Sequence, residues 1–142
     1  MREGGAASKW LSAGREIAAR GLWFPALVFV GHVIASQFLL VYEALPVLDV
    51  PVHLIGGFAI AFFFSVVIDS LSKRGLIVVP DPPLRLVLLF ALVCTAAVFW
   101  EFAEYISDHT IGTNAQAGLE DTLFDMVMGI AGGLAYLPLG RF

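Results

Sequence analysis

The stretch DTLFDMVMGIAGG, residues 121–133, decides how the rest of the chain is arranged. Asp121 and Asp125 stand four positions apart at the head of this otherwise apolar segment. On a helix, that spacing places both carboxylates on one face, one turn apart. The same stripe continues through Gly129 and either Gly132 or Gly133, which have no side chains. The stretch therefore predicts a helix that carries acidic side chains in its first turns and permits close contact with a neighbouring helix in its later turns.

The composition indicates an integral membrane protein. Of the 142 residues, 59% are hydrophobic and 14% are charged, whereas a soluble domain carries about 25% charged residues. Several apolar runs approach the length that a helix needs to cross a bilayer. The single cysteine, Cys94, lies within one of these runs, so an intrachain disulfide is excluded. No motif in the chain points to nucleic acid.

Four apolar segments predict an all-α fold, a four-span transmembrane helical bundle in residues 22–142. The expected spans are residues 22–42, 49–68, 84–105 and 120–139. Residues 1–21 are expected to form either a helix on the membrane surface or a polar cytoplasmic tail. Trp10 and Ile17 share a helical face, which suits the surface helix, but the sequence leaves both alternatives open.

The distribution of positive charge predicts the orientation of the bundle. All eight lysine and arginine residues lie in the N-terminal segment, the middle loop or the C-terminus. By the positive-inside rule, both termini and the middle loop face the cytoplasm. The first and third loops are then extracytoplasmic.

Two further spans carry pairs of polar residues that match the aspartate pair. Asp49 precedes His53 by four positions, and Glu101 precedes Glu104 by three. One member of each pair stands sixteen positions from a charge at the cytoplasmic end of its span: His53 from Asp69, Glu101 from Arg85, and Asp125 from Arg141. At about 1.5 Å per residue, each lies roughly 24 Å from that charge, so all three are expected at the same depth.

Six residues are therefore candidate metal ligands near the extracytoplasmic face: Asp49, His53, Glu101, Glu104, Asp121 and Asp125. Facing lipid, such groups carry an insertion cost of up to about 2.5–3.5 kcal/mol each, so they are expected to face a shared interior. Carboxylates with one imidazole suit a divalent cation: Mn²⁺, Mg²⁺, Ca²⁺, Fe²⁺ or Zn²⁺. The sequence does not choose among these metals.

Each candidate also has a simpler explanation when it is taken alone. Asp49 and Asp121 each begin a helix, where an aspartate often serves only as a cap. His53 and the mid-span His32 are both consistent with a packed, hydrogen-bonded histidine, and His32 is also consistent with a proton relay or a substrate contact. The glutamate pair is consistent with a hydrated helix end. The coincidence of three pairs at one depth is what favours a shared polar site.

These residues resemble the VanZ-like small membrane proteins and the related YjdF-type inner-membrane proteins. The resemblance is carried by DVPVHLIGGF at 49–58, WEFAEY at 100–105 and DTLFDM at 121–126, followed by Gly132-Gly133. VanZ-like proteins often have glutamine where Glu104 stands, which makes the YjdF-type the more similar branch. The resemblance implies a multi-pass protein of the bacterial inner membrane. In the VanZ-like case it implies a role in the cell envelope or in glycopeptide resistance.

Three functions fit this pattern. In the first, a metal-dependent membrane enzyme acts on a lipid-linked or envelope substrate, with His53 or Glu104 as the candidate base. In the second, the protein transports cations or protons, although the inner half of each span is almost entirely apolar. In the third, the polar cluster only orders the helices of a non-catalytic scaffold. Membrane lipid is the expected partner, and the sequence leaves catalysis and oligomeric state open.

Overall fold

The computed structural model describes residues 3–39, 45–78 and 81–140, most of which lie in five α-helices. These are α1 (Glu3–Arg20), α2 (Trp23–Val33), α3 (Asp49–Lys73), α4 (Pro82–Thr110) and α5 (Leu119–Tyr136). A π-helical turn, Ile34–Phe38, extends α2, while 3₁₀ turns at Pro46–Leu48 and Leu137–Leu139 precede α3 and follow α5. No strand occurs in these ranges, which confirms the predicted all-α class.

Within the described ranges, three to four helices qualify as membrane spans. α3, α4 and α5 with its 3₁₀ turn are each long and apolar enough to cross a bilayer. A fourth crossing requires α1 and α2 to be counted together, and Gly5–Arg20 and Trp23–Ser36 meet at a bend of 50°. The predicted first span, residues 22–42, is helical as far as Phe38, and residues 40–44 lie outside the described part of the chain.

Two predicted spans are shorter than the helices that contain them. α3 continues past residue 68 to Lys73, and α4 continues past residue 105 to Thr110, so residues 106–110 do not belong to the predicted loop. Hydropathy marks only the part of a helix that suits hydrocarbon, whereas the backbone hydrogen bonds continue into the polar interface. After Lys73, the end of α3 is closed by a Schellman motif that has Gly75, with a φ of +65°, just beyond the C-cap.

α3 is the central helix of the fold, and all four other helices pack against it. Its contact with α5 is a backbone-to-backbone contact made by glycines. A Cβ atom on Gly57 would overlap the carbonyl oxygen of Gly129, and one on Gly132 would overlap the carbonyl oxygen of Leu54. The glycine stripe in residues 121–133 therefore permits close helix packing, as the sequence predicted.

Two polar contacts fix the register of α3 against α4. At one end, Arg85 pairs with Asp69 at 2.5 Å. Sixteen residues further along each helix, His53 Nδ1 lies 3.9 Å from Glu101 Oε1. Because the two helices are antiparallel and both intervals are sixteen residues, His53 and Glu101 lie side by side, as Asp69 and Arg85 do. This agrees with the equal depth of His53 and Glu101 that the sequence predicted.

An arginine holds α1 against the end of α3. Arg74 donates hydrogen bonds to Glu16 at 2.7 Å and to Ser12 at 2.8 Å. Ser70 also donates to Glu16, at 3.0 Å, and Ala13 on the same helix is buried. The amphipathic pattern of α1 did not reveal this attachment, because its partners lie far away in the sequence.

We predict that Gly57→Ala destabilises the protein and that the neighbouring change Gly56→Ala does not. The methyl group at Gly57 meets the backbone of Gly129, and overpacking of this kind costs about 1–3 kcal/mol. At Gly56, the nearest atom to a new Cβ is Cγ1 of Val28 at 4.0 Å, so alanine fits. Thermal unfolding in detergent measures both effects, and equal midpoints for the two variants would contradict the close packing.

The attachment of α1 is predicted to be sensitive to acid. Hydrogen bonds, that of Arg74 first, lower the pKa of Glu16 from 4.5 to about 2. Because the pKa is lowered in the folded state, the stabilisation is complete above pH 4.5 and is lost as the pH falls toward 2. Distances between spin labels on α1 and α3 should lengthen over this range. Glu16→Gln should weaken the attachment at neutral pH and remove its pH dependence, and an acid-insensitive distance would argue against the contact.

Candidate metal centre

The predicted polar residues converge on His53, which lies one turn after Asp49 on α3. His53 Nε2 is 3.6 Å from Asp49 Oδ1 and 3.9 Å from Asp125 Oδ2. The other ring nitrogen, Nδ1, is 3.9 Å from Glu101 Oε1. One imidazole thus stands between carboxylates from α3, α4 and α5.

The glycine contact between α3 and α5 positions two of these residues. His53 precedes Gly57 by one helical turn, and Asp125 precedes Gly129 by one turn. The two helices pass through the site in the same direction, and Gly57 meets Gly129. One turn above that contact, His53 therefore meets Asp125.

The group is buried although most of its members are acids. Glu101 has 4% of its surface exposed, Asp125 3%, and His53 and Glu104 9% each. Several carboxylates buried together are costly unless positive charge accompanies them. The cluster therefore requires either a bound cation or bound protons.

Three buried atoms at the centre of the group make no hydrogen bond with any described residue: Asp49 Oδ1, His53 Nε2 and Glu101 Oε1. Buried polar atoms normally have a partner, so three in one place require an explanation. The 3.6 Å between Asp49 Oδ1 and His53 Nε2 is too long for a hydrogen bond. Two ligands about 2.1 Å from a tetrahedral ion, however, lie roughly 3.4 Å apart. The 3.6 Å separation is therefore more consistent with two ligands of one cation than with a hydrogen bond between Asp49 and His53.

Two sets of residues offer ligand atoms that all lie within 4.8 Å of one another: Asp49, His53 and Asp125, and His53, Glu101 and Glu104. The glutamates of the second set already have hydrogen-bond donors. Trp100 Nε1 donates to Glu104 Oε1 at 2.9 Å, and Gln116 Nε2 lies 3.4 Å from Glu101 Oε2. Each set contains two of the unpartnered atoms, and in the first set these atoms, Asp49 Oδ1 and His53 Nε2, lie 3.6 Å apart, a separation that suits two ligands of one ion.

Asp121, the sixth predicted ligand, belongs to neither set. Its Oδ2 accepts a hydrogen bond from the amide of Ala117 at 3.1 Å, immediately before α5 begins. Asp121 is the third residue of α5 and not its N-cap, which is Gly118, and its bond back to the chain before the helix is of the capping-box kind. Asp49 also lies in the first turn of its helix, but its Oδ1 faces His53.

Three other residues contact the site: Trp100, His32 and Gln116. Trp100 donates to Glu104, and its ring centroid lies 5.1 Å from that of His32. His32 Nε2 lies 3.8 Å from Glu104 Oε1, so α2 also reaches the site. Gln116, in the loop before α5, donates to the carbonyl oxygen of Glu101 at 3.1 Å. The contact of Trp100 could have been predicted, because Trp100 stands one helical turn before Glu104. The contact of Gln116 could not, because Gln116 lies in a loop, where spacing along the sequence does not indicate a partner.

Most of the chain matches one protein family. Residues 17–142 match the family described as a predicted membrane protein, DUF2238. No curated protein and no solved structure matches the chain. The matched region contains α2 to α5 and all six candidate ligands. The chain therefore belongs to the DUF2238 family of predicted membrane proteins.

Proposed function

We propose that this protein is a metal-dependent membrane enzyme that acts on a lipid-linked or envelope substrate. In this proposal, Asp49, His53 and Asp125 hold one divalent cation. The observation that carries it is the pair of buried, unpartnered atoms, Asp49 Oδ1 and His53 Nε2, beside Asp125 Oδ2. Three protein ligands leave a coordination position open, which is typical of catalytic rather than structural metal sites.

Glu101 and Glu104 have separate roles in this arrangement. With the cation at Nε2, the Nδ1 proton of His53 is directed toward Glu101 Oε1, 3.9 Å away. At 3.9 Å the carboxylate makes no hydrogen bond, but its charge favours the tautomer that carries the proton on Nδ1 and leaves Nε2 for the cation. Because His53 serves as a ligand, Glu104 is the better candidate for the general base.

The surroundings of Glu104 suit proton transfer. A bound divalent cation supplies a polarised substrate oxygen or an activated water. Glu104 would accept the proton that such a water releases, while the N–H of Trp100 holds the Glu104 carboxylate in place at 2.9 Å. His32, 3.8 Å from the same carboxylate oxygen, offers the next acceptor.

The membrane setting is part of the proposal. With both termini in the cytoplasm of a bacterium, the site lies near the extracytoplasmic boundary of the inner membrane. A lipid-linked or envelope substrate reaches that depth from within the bilayer. The resemblance to VanZ-like proteins favours the same setting, a role in the cell envelope or in glycopeptide resistance.

Transport and a purely structural role have less support. Below His53, residues 54–64 of α3 are apolar, and so are residues 126–135 of α5. That layer favours a pocket over a path for ions. A structural cluster is expected to satisfy its own polar atoms, whereas Asp49, His53 and Glu101 each keep one buried atom without a partner among the described residues.

The two aspartates of α5 should differ in their effect on metal binding. Asp125→Ala should abolish stoichiometric binding of Mn²⁺, because it removes a proposed ligand. Asp121→Asn should leave binding unchanged, because Asp121 bonds the amide of Ala117 instead. Elemental analysis and a titration followed by electron paramagnetic resonance measure both. Equal losses in the two variants, or a wild-type protein without metal, would contradict the assignment.

Bound Mn²⁺ should carry exchangeable water if the site is catalytic. Three protein ligands do not fill the coordination shell of this ion, so water-proton relaxation should be enhanced in the wild-type protein. The enhancement should disappear in Asp125→Ala, which serves as the control. Stoichiometric metal without exchangeable water would favour the scaffold over the enzyme.

A further inference from the structure

An apolar cavity of about 100 Å³ lies directly below the site, between α2, α3, α4 and α5. His53 and Trp100 line its upper end, while Ile60 and Val93 line its lower end. His53 and Ile60 are seven residues apart on α3, and Val93 and Trp100 are seven apart on α4, so the cavity follows these helices for about 10 Å. It therefore begins at the candidate ligands and extends toward the middle of the membrane.

Small residues create the space. Gly56 on one wall and Ala96 and Ala97 on the other leave room that larger side chains would fill. The remaining walls are aliphatic or aromatic, including Val28 and Phe29 of α2. An apolar cavity of this order stays dry and takes up hydrocarbon. At this depth of a bilayer, hydrocarbon chains are the surrounding medium.

α2 packs against α3 and α4 beside the cavity, which reaches the polar group above it at His53. α2 contacts α3 through Phe24, whose ring lies 5.9 Å from that of Phe62. Toward α4, the ring of Trp100 reaches Phe29 at 5.8 Å, and both side chains line the cavity. His53 belongs to both the cavity wall and the ligand set. A chain that fills the cavity therefore ends beside the proposed cation.

The charges of the site restrict the head group of such a molecule. Carboxylates from four residues surround His53, and one divalent cation balances the charge of only two. An anionic head group would meet the excess negative charge, and a cationic one would compete with the metal. An uncharged carbonyl oxygen meets neither obstacle, and a metal ion polarises it.

We propose that the cavity binds the hydrocarbon chain of an uncharged acyl ester or amide and so presents its carbonyl group at His53. The chain-binding part rests on the cavity alone, and the carbonyl part rests on the proposed function. The substrate class is thus an acylated amphiphile that enters from the membrane.

Fluorescence of Trp100 tests this proposal, because its ring lines the cavity. In a Trp10→Phe, Trp23→Phe background, Trp100 is the remaining tryptophan. Methyl 8-bromooctanoate should quench it saturably in the Mn²⁺-loaded protein in detergent, and methyl 4-bromobutanoate should bind more weakly. Each buried methylene contributes about fourfold in affinity. An 8-bromooctyl phosphate and an 8-bromooctyl trimethylammonium probe provide the charged comparisons and should bind more weakly than the ester.

Cavity-filling variants make the test specific. Gly56→Leu should weaken the binding of methyl 8-bromooctanoate by about tenfold or more, which corresponds to the loss of two methylene sites. Ala96→Leu, from the opposite wall, should act in the same direction. Gly31→Leu is the matched control, since a Cβ there has no neighbour within 4 Å and Gly31 does not line the cavity. The variants are compared at one detergent concentration, so that partitioning of the probe into micelles is the same for all of them.

The outcomes separate this proposal from the proposed function. Suppose that the protein binds stoichiometric Mn²⁺ but that neither Gly56→Leu nor Ala96→Leu weakens the quenching. That result would overturn the cavity proposal and leave the metal site intact. Tighter binding of the phosphate or ammonium probe than of the ester would overturn the choice of head group. Quenching sensitive to Gly56→Leu in a protein that binds no metal would overturn the proposed function and support the chain site.

Discussion

The backbone contact between Gly57 and Gly129 is the constraint on which the candidate site depends. Where two helices touch without intervening side chains, residues one turn away are brought within reach of a single ion. His53 and Asp125 are such residues, with 3.9 Å between Nε2 and Oδ2. Glycine within a helix costs about 0.5–1 kcal/mol relative to alanine. The close packing of α3 on α5 offsets this local cost and determines the geometry of the site.

Polar contacts occupy the two ends of the bundle, and an apolar layer separates them. At one end, Arg85 pairs with Asp69, and Arg74 binds Glu16 of α1. At the other end, carboxylates surround His53 within a buried pocket. Ion pairs at one level fix the register, and the same register brings Glu101 to His53 at the other level. The cavity lies in the apolar layer, so the polar chemistry and the hydrocarbon-lined space share one wall.

Much of this arrangement could be predicted from the sequence, because it follows from periodicity and charge. The i, i+4 spacings and the sixteen-residue intervals predicted that His53, Glu101 and Asp125 share one depth, and the structure brings them together. The extension of α4 to Thr110 was not predicted, because hydropathy does not detect helix beyond the hydrocarbon layer. The contributions of Gln116 and Arg74 were not predicted either, since each depends on a contact between segments that only the folded chain brings together.

X-ray absorption fine structure at the metal edge of the Mn²⁺-loaded protein tests the central claim most directly. The account predicts a shell of oxygen and nitrogen donors with scattering from a single imidazole, and His53→Ala should remove that imidazole signal. Reduced occupancy in the variant would still support the account if the remaining signal lacked imidazole. Mn²⁺ bound without imidazole in the wild-type protein, or an unchanged imidazole signal in His53→Ala, would contradict it.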